Sequence, residues 1–192
     1  ADPGATVAQA FAAAEAAGII CFASAGNSGN PKGKGDSVGY PAKYPSVIAV
    51  AATDASDARA SFSSTGADVE LAAPGVNIPS TTMDGGVQAT GGGWNGTSMA
   101  CPHAAGVAAL ALAAGVLDGN GNGRVNDDLR TLLQATALDL GVAGRDPLFG
   151  FGLVQAPAAA TPSNFAPTVS IVAPAPGTAV PNGTPVTFTG LA

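Results

Sequence analysis

Asn95-Gly96-Thr97-Ser98-Met99-Ala100-Cys101-Pro102-His103-Ala104-Ala105-Gly106 is a glycine turn that runs straight into an apolar helix. Ala, Val and Leu occupy every face from Thr97 to about Leu117, a pattern that predicts a helix lying in a protein core. Pro102 falls near the helix start, where it is tolerated, and Gly106 with its neighbouring alanines permits close approach to a sheet. Ser98 stands in the first turn, where backbone N–H groups lack intrahelical partners and the helix dipole favours negative charge. A serine so placed is either a helix cap or a nucleophile.

Upstream of this helix the chain alternates between helix formers and short buried runs. Thr6 to Ala17 is built of helix formers, and Gly18 supplies the stop. Residues 19 to 25 form a continuous apolar run, as do Val47 to Ala52 and, before Pro74-Gly75, Val69 to Ala72. Strands apolar on both faces belong to parallel sheets covered by helices, so the fold class is α/β with at least three strands. Ser28 to Asp36 is turn chemistry on the surface, and residues 76 to 94 read as a loop or weak hairpin leading to Trp94. Downstream, Leu129, Leu132 and Leu133 predict a helix over Asp128 to Ala137.

Composition narrows the functional classes. Only 10% of the 192 residues are charged and the net charge is −6, with the seven Lys and Arg scattered, so the chain lacks the basic patch that nucleic acid requires. The apolar run from Ala104 to Val116 is thirteen residues, short of the roughly 20 that a membrane span needs. Ala1-Asp2-Pro3-Gly4 shows neither a basic n-region nor an apolar h-region. Cys21 and Cys101 permit one disulfide, but each sits inside an apolar element, where a free thiol behaves as a small hydrophobe. Free thiols are therefore expected.

The dodecapeptide Asn95 to Gly106 closely resembles the nucleophile motif of the subtilisin-like serine proteases. Ile19-Ile20-Cys21-Phe22-Ala23-Ser24-Ala25-Gly26-Asn27 looks like the segment that delivers the family's oxyanion-hole asparagine. Gly39 to Val50, Arg59 to Ser64 and Ala72 to Gly75 are similar to the family in matching order. The resemblance covers residues 1 to 157 and corresponds to the second half of a subtilase catalytic domain. It implies a partial three-layer α/β fold and a secreted endopeptidase acting on proteins or peptides through an acyl-enzyme on Ser98. Asn27 would stand in the oxyanion hole, with no cofactor required for chemistry. It further implies that Ser24, Ala25, Gly26 and Gly39 line the pocket for the residue before the scissile bond, Gly39 leaving it roomy. One residue fewer than the family pattern between Asn27 and Tyr40 alters the loop beside that pocket.

A serine hydroxyl needs a base to take its proton and a third group to orient that base. His103 is the sole histidine. Five residues on from Ser98 it points roughly 140° away round the helix, and the resembled motif holds a structural histidine there. The family's catalytic histidine and aspartate lie upstream, so the missing N-terminal half becomes a required partner. A catalytically inactive homologue serving as a binding module is the alternative. An α/β-hydrolase esterase is disfavoured, since Ala100 stands where the second glycine of Gly-x-Ser-x-Gly belongs.

Asp118-x-Asn120-x-Asn122-Gly123 opens like a calcium loop, in which alternate oxygen side chains face one ion. The closing carboxylate is misplaced: Leu129 holds the twelfth position and Asp128 comes one residue early. Structural calcium and a plain Asn/Gly-rich inter-helix turn both remain open. After Asp146 no charged residue occurs, and seven of the fifteen prolines lie between Pro157 and Pro185. That shift places a linker at 158–167. Thr168 to Val172 and Val186 to Thr189 alternate like half-buried strands, resembling the start of an immunoglobulin-like or polycystic-kidney-disease-like β-sandwich module over 168–192.

Overall fold

The computed structural model describes residues 2–88 and 93–161. The expected β-module at 168–192 and most of the linker lie outside the described residues. Helix α1 spans Ala5–Ala16, and the parallel strands β1 (Cys21–Ser24), β2 (Val47–Thr53) and β3 (Val69–Pro74) form one sheet in the order β1-β2-β3. A two-residue hairpin, β4 (Ser80–Thr81) with β5 (Val87–Gln88), follows, then α2 (Thr97–Ala114), α3 (Asn126–Ala135) and the short α4 (Ala156–Ala159). The region read as a loop or weak hairpin is thus a hairpin, its base closed by paired backbone bonds between Ile78 and Trp94.

All of β2 is buried, and its side chains divide the interior by the two-residue period of a strand. Ile48, Val50 and Ala52, with Leu71 and Ala73 of β3, face α2 and α3. Val47, Ala49 and Ala51, with Ala23, Val69 and Ala72, face Tyr44, Phe149 and the partly buried Val7 and Phe11 of α1. The result is helix, sheet, helix in three layers. Fully burying an Ile, Val or Leu is worth about 1.5–3 kcal/mol, so the large side chains Ile48, Val50, Leu71 and Leu129 dominate the first core. Cys21 packs at the edge of one core and Cys101 at the edge of the other, and both are free.

α2 differs from the expectation in two ways. It stops at Ala114, because Gly115 takes the left-handed conformation (φ 94°) that closes helices, three residues before the apolar pattern ends. It also buries one face only: Thr97, Ala100, Ala104, Val107, Ala108 and Ala111 lie inward, while Leu110 is 54% exposed among the described residues. The sheet, α3 and α4 pack against that face. By length and composition alone α2 would suffice to cross a membrane, but its inward face packs into a core shared with β2 and β3. The boundary expected after residue 157 falls inside α4, where Ala159 is buried against the first core.

Below the sheet, Arg130 of α3 ties the layers together. Its Nε donates to Glu70 Oε1 at 2.6 Å and a second nitrogen bonds Oε2, while Gln134 donates to Oε1 at 2.9 Å. Another guanidinium nitrogen reaches the Pro45 carbonyl at 2.9 Å and Glu15 at 3.3 Å. Glu70 is 4% exposed and would be costly to bury unpaired; the paired carboxylates hold the guanidinium above its ordinary pKa, the hydrogen bonds to Glu70 being the main cause.

Candidate active site

The carboxyl ends of parallel strands are where α/β folds place ligand chemistry. β1 leaves the sheet there into Ala25-Gly26-Asn27, and β3 leaves at Pro74-Gly75, whose carbonyl accepts the Gly96 N–H at 2.8 Å. That bond sets the turn from which α2 starts. Gly96 has φ 155° and ψ 157°, a conformation open essentially to glycine alone, and it points the first turn of α2 back at Asn27.

Thr97 then fixes the asparagine. Its backbone N–H and its hydroxyl both donate to Asn27 Oδ1, each at 3.0 Å, and the same hydroxyl accepts the Gly26 N–H at 3.1 Å. A backbone N–H needs an acceptor, so this bond assigns the amide oxygen and turns Nδ2 the other way. The point where a Cβ on Gly96 would sit lies 3.3 Å from Asn27 Nδ2, 3.6 Å from the Ser98 backbone nitrogen and 3.7 Å from Met99 Sδ. Both nitrogens thus lie within 4 Å of one point beside Gly96, and any side chain at residue 96 would intrude between them.

Ser98 is exposed and, among the described residues, its hydroxyl has no hydrogen-bond partner. It shares an open cleft of about 300 Å³ with Ile78, Pro79, Met99 and His103. His103 Nδ1 lies 2.7 Å from the Met99 carbonyl oxygen, four residues back, rather than on Ser98. Pro102, which carries no N–H, leaves the Ser98 carbonyl without its intrahelical donor.

The four expected pocket residues come together. Gly39 N donates to the Ala25 carbonyl at 2.9 Å, Ser24 ends β1, and Gly26 (φ 113°) adjoins Gly39. A Cβ on Gly39 would meet nothing closer than 3.9 Å, so the space there is open. Sequence reasoning passed over Thr97 and Ser64. Their hydroxyl partners lie 36 to 71 residues away along the chain, and the only signal was their place inside two of the matched segments.

The Asp118 loop closes on itself. Asp118 accepts the N–H groups of Gly121, Asn122 and Gly123, while the Asn120 and Asn122 amides both donate to Asp127 Oδ2 at 2.8 and 2.7 Å. Among the described residues no three His, Cys, Asp or Glu side chains gather as a metal group. Asp127 Oδ1 and Asp128 Oδ2 are buried without a partner. Burial, then the neighbouring Asp127, push the Asp128 carboxyl above the ordinary aspartate range.

Comparison with known proteins supplies the context for these residues. Residues 2–152 match the Subtilase family. Similar proteins include the minor extracellular protease Epr of Bacillus subtilis, 45% identical over 149 residues, 78% of this chain and 21% of the relative. Subtilisin E of the same organism is 46% identical over 147 residues (77% of this chain, 35% of the relative), and M-protease of Shouchella clausii 44% over 158 (82% and 37%). The chain therefore spans well under half the length of each of these relatives. With the match running across both the asparagine turn and the serine helix, this chain belongs to the subtilase family of serine peptidases.

Proposed function

We propose that the complete protein is a secreted serine endopeptidase that cleaves peptide bonds through an acyl-enzyme on Ser98. The observation that carries this reading is the placement of Asn27 Nδ2 and the Ser98 backbone nitrogen within 4 Å of one point at the mouth of α2. In this mechanism Ser98 Oγ attacks the scissile carbonyl carbon as a base takes its proton. The carbonyl oxygen becomes an oxyanion held by those two donors and the dipole of α2. Collapse expels the amine, which receives the proton, and water then releases the acyl group by the same steps. The base and its orienting aspartate come from sequence upstream of these 192 residues, as the family resemblance implies. Ser24, Ala25, Gly26 and Gly39 receive the residue before the scissile bond.

Subtilases need no cofactor for this chemistry, and we read the Asp118–Asp128 loop as an inter-helix turn held by its own amides. The residues that follow α4, up to 167, would join the catalytic domain to a β-module starting at 168. The test is covalent. A phosphonofluoridate should label the complete protease, Ser98→Ala should abolish the label, and the isolated 192 residues should remain unlabelled. A folded complete protein that takes no label would replace the enzyme with the inactive binding homologue.

A further inference from the structure

Asn27 sits on an exposed turn, yet an oxyanion donor has to be held within a fraction of an ångström. Thr97 orients its side chain, but something must also hold the backbone that carries it. That backbone is gripped from behind by Phe62-Ser63-Ser64, the segment between β2 and β3. Ser64 N donates to the Gly26 carbonyl at 2.8 Å, Ser28 N donates to Ser64 Oγ at 3.2 Å, and Gly29 N donates to the Phe62 carbonyl at 2.9 Å. Ser64 thus bonds the residues on both sides of Asn27, one through its N–H and one through its hydroxyl. It is fully buried. A Cβ on Gly26, which has φ 113°, would come within 2.9 Å of the Ser64 hydroxyl oxygen, so the turn and the serine fit without slack.

We infer that Ser64 is a positioning residue for the oxyanion hole, fixing the Gly26-Asn27-Ser28 backbone so that Asn27 Nδ2 meets the developing negative charge. The inference rests on the oxyanion role proposed for Asn27. Among the described residues Ser64 makes no hydrogen bond to Ser98, so its contribution to the chemistry passes through the turn it holds, chiefly through Asn27. Removing its hydroxyl frees the Ser28 N–H and lets the turn relax. A misplacement on the order of 1 Å can cost up to about 10²-fold in rate, and loss of one of three backbone ties should cost about tenfold.

The experiment is a double-mutant cycle in the complete protease, measuring kcat and KM for a peptide substrate together with the melting temperature. Ser64→Ala should lower kcat about tenfold with KM nearly unchanged, whereas in an Asn27→Ala background it should cost less than about twofold, because the donor it positions is gone. Ser64→Cys, which keeps a weak acceptor, should fall between wild type and Ser64→Ala, and it serves if the alanine variant folds poorly. Equal loss in both backgrounds, or a lower melting temperature with unchanged kcat, would reduce Ser64 to a packing residue and overturn the inference. If Asn27→Ala itself leaves kcat unchanged, the oxyanion reading fails first and takes this inference with it.

Discussion

The two ends of the three-stranded sheet are held by opposite means. At the carboxyl ends, the turn bearing Asn27 and the start of α2 are fixed by glycines, hydroxyls and backbone amides, without an ion pair between them. Toward the amino ends, Glu70, Arg130 and Glu15 lock β3, α3 and α1 together by charge. Neutral ties suit the first end under the mechanism proposed above, because a fixed negative charge there would repel the oxyanion it places at Asn27. A buried ion pair suits the second, where nothing reacts and a single geometry is the requirement.

The contrast breaks most sharply at Asn27. In the complete protease Asn27→Ala should lower kcat by about 10²–10³ with little change in KM, a magnitude borrowed from an oxyanion-hole asparagine of subtilisin. It should also lower the melting temperature modestly, because the buried Thr97 N–H and hydroxyl lose their acceptor. A parallel rise in KM would recast Asn27 as a substrate-binding group. Arg130→Met should do the reverse. It strands Glu70, whose side chain is 5% exposed, and should cost about 3 kcal/mol in chemical denaturation while leaving kcat per folded molecule intact. Replacing Glu70 by Gln as well should recover part of that loss; no recovery would mean that Arg130 acts through packing instead.

The smallest effect lies in the Asp118 loop. The raised pKa of Asp128 means that folding favours its protonated form, so its contribution is fully present below the unfolded pKa and is lost as pH rises through the higher folded value. Asp128→Asn, which keeps an oxygen for the Gly119 N–H, should therefore raise the melting temperature slightly at pH 7 and change nothing at pH 3. Calcium should have no effect on either form. A calcium-dependent rise in melting temperature, lost in Asp128→Asn, would turn the loop into a cation site.

Much of this was legible in the chain, and what was not has a common cause. The strands around Val47 and Val69 were readable because both faces are apolar, and the meeting of the Asn27 turn with the start of α2 because both sit inside long matched segments. The Arg130–Glu70 lock was invisible: two charged residues 60 positions apart carry no local pattern. Thr97 and Ser64 were hidden likewise, since a hydroxyl announces neither its partner nor its depth. The exposed side of α2 went unforeseen because hydropathy reports what a helix can bury, not which of its faces meets a neighbour.

Cys21, on β1, and Cys101, on α2, are each half-buried at the rim of a different core, on opposite faces of the sheet. This arrangement equips the molecule with two native reporters. Thiol trapping under partly denaturing conditions would clock the opening of the α1 side through Cys21 and of the α2 side through Cys101, without an introduced label. Burial pushes the Cys101 thiol above its ordinary pKa, so in the folded protein it should react more slowly than it does once unfolded. The order in which the thiols become reactive would then reveal whether the layer carrying Ser98 loosens before or after the layer behind it.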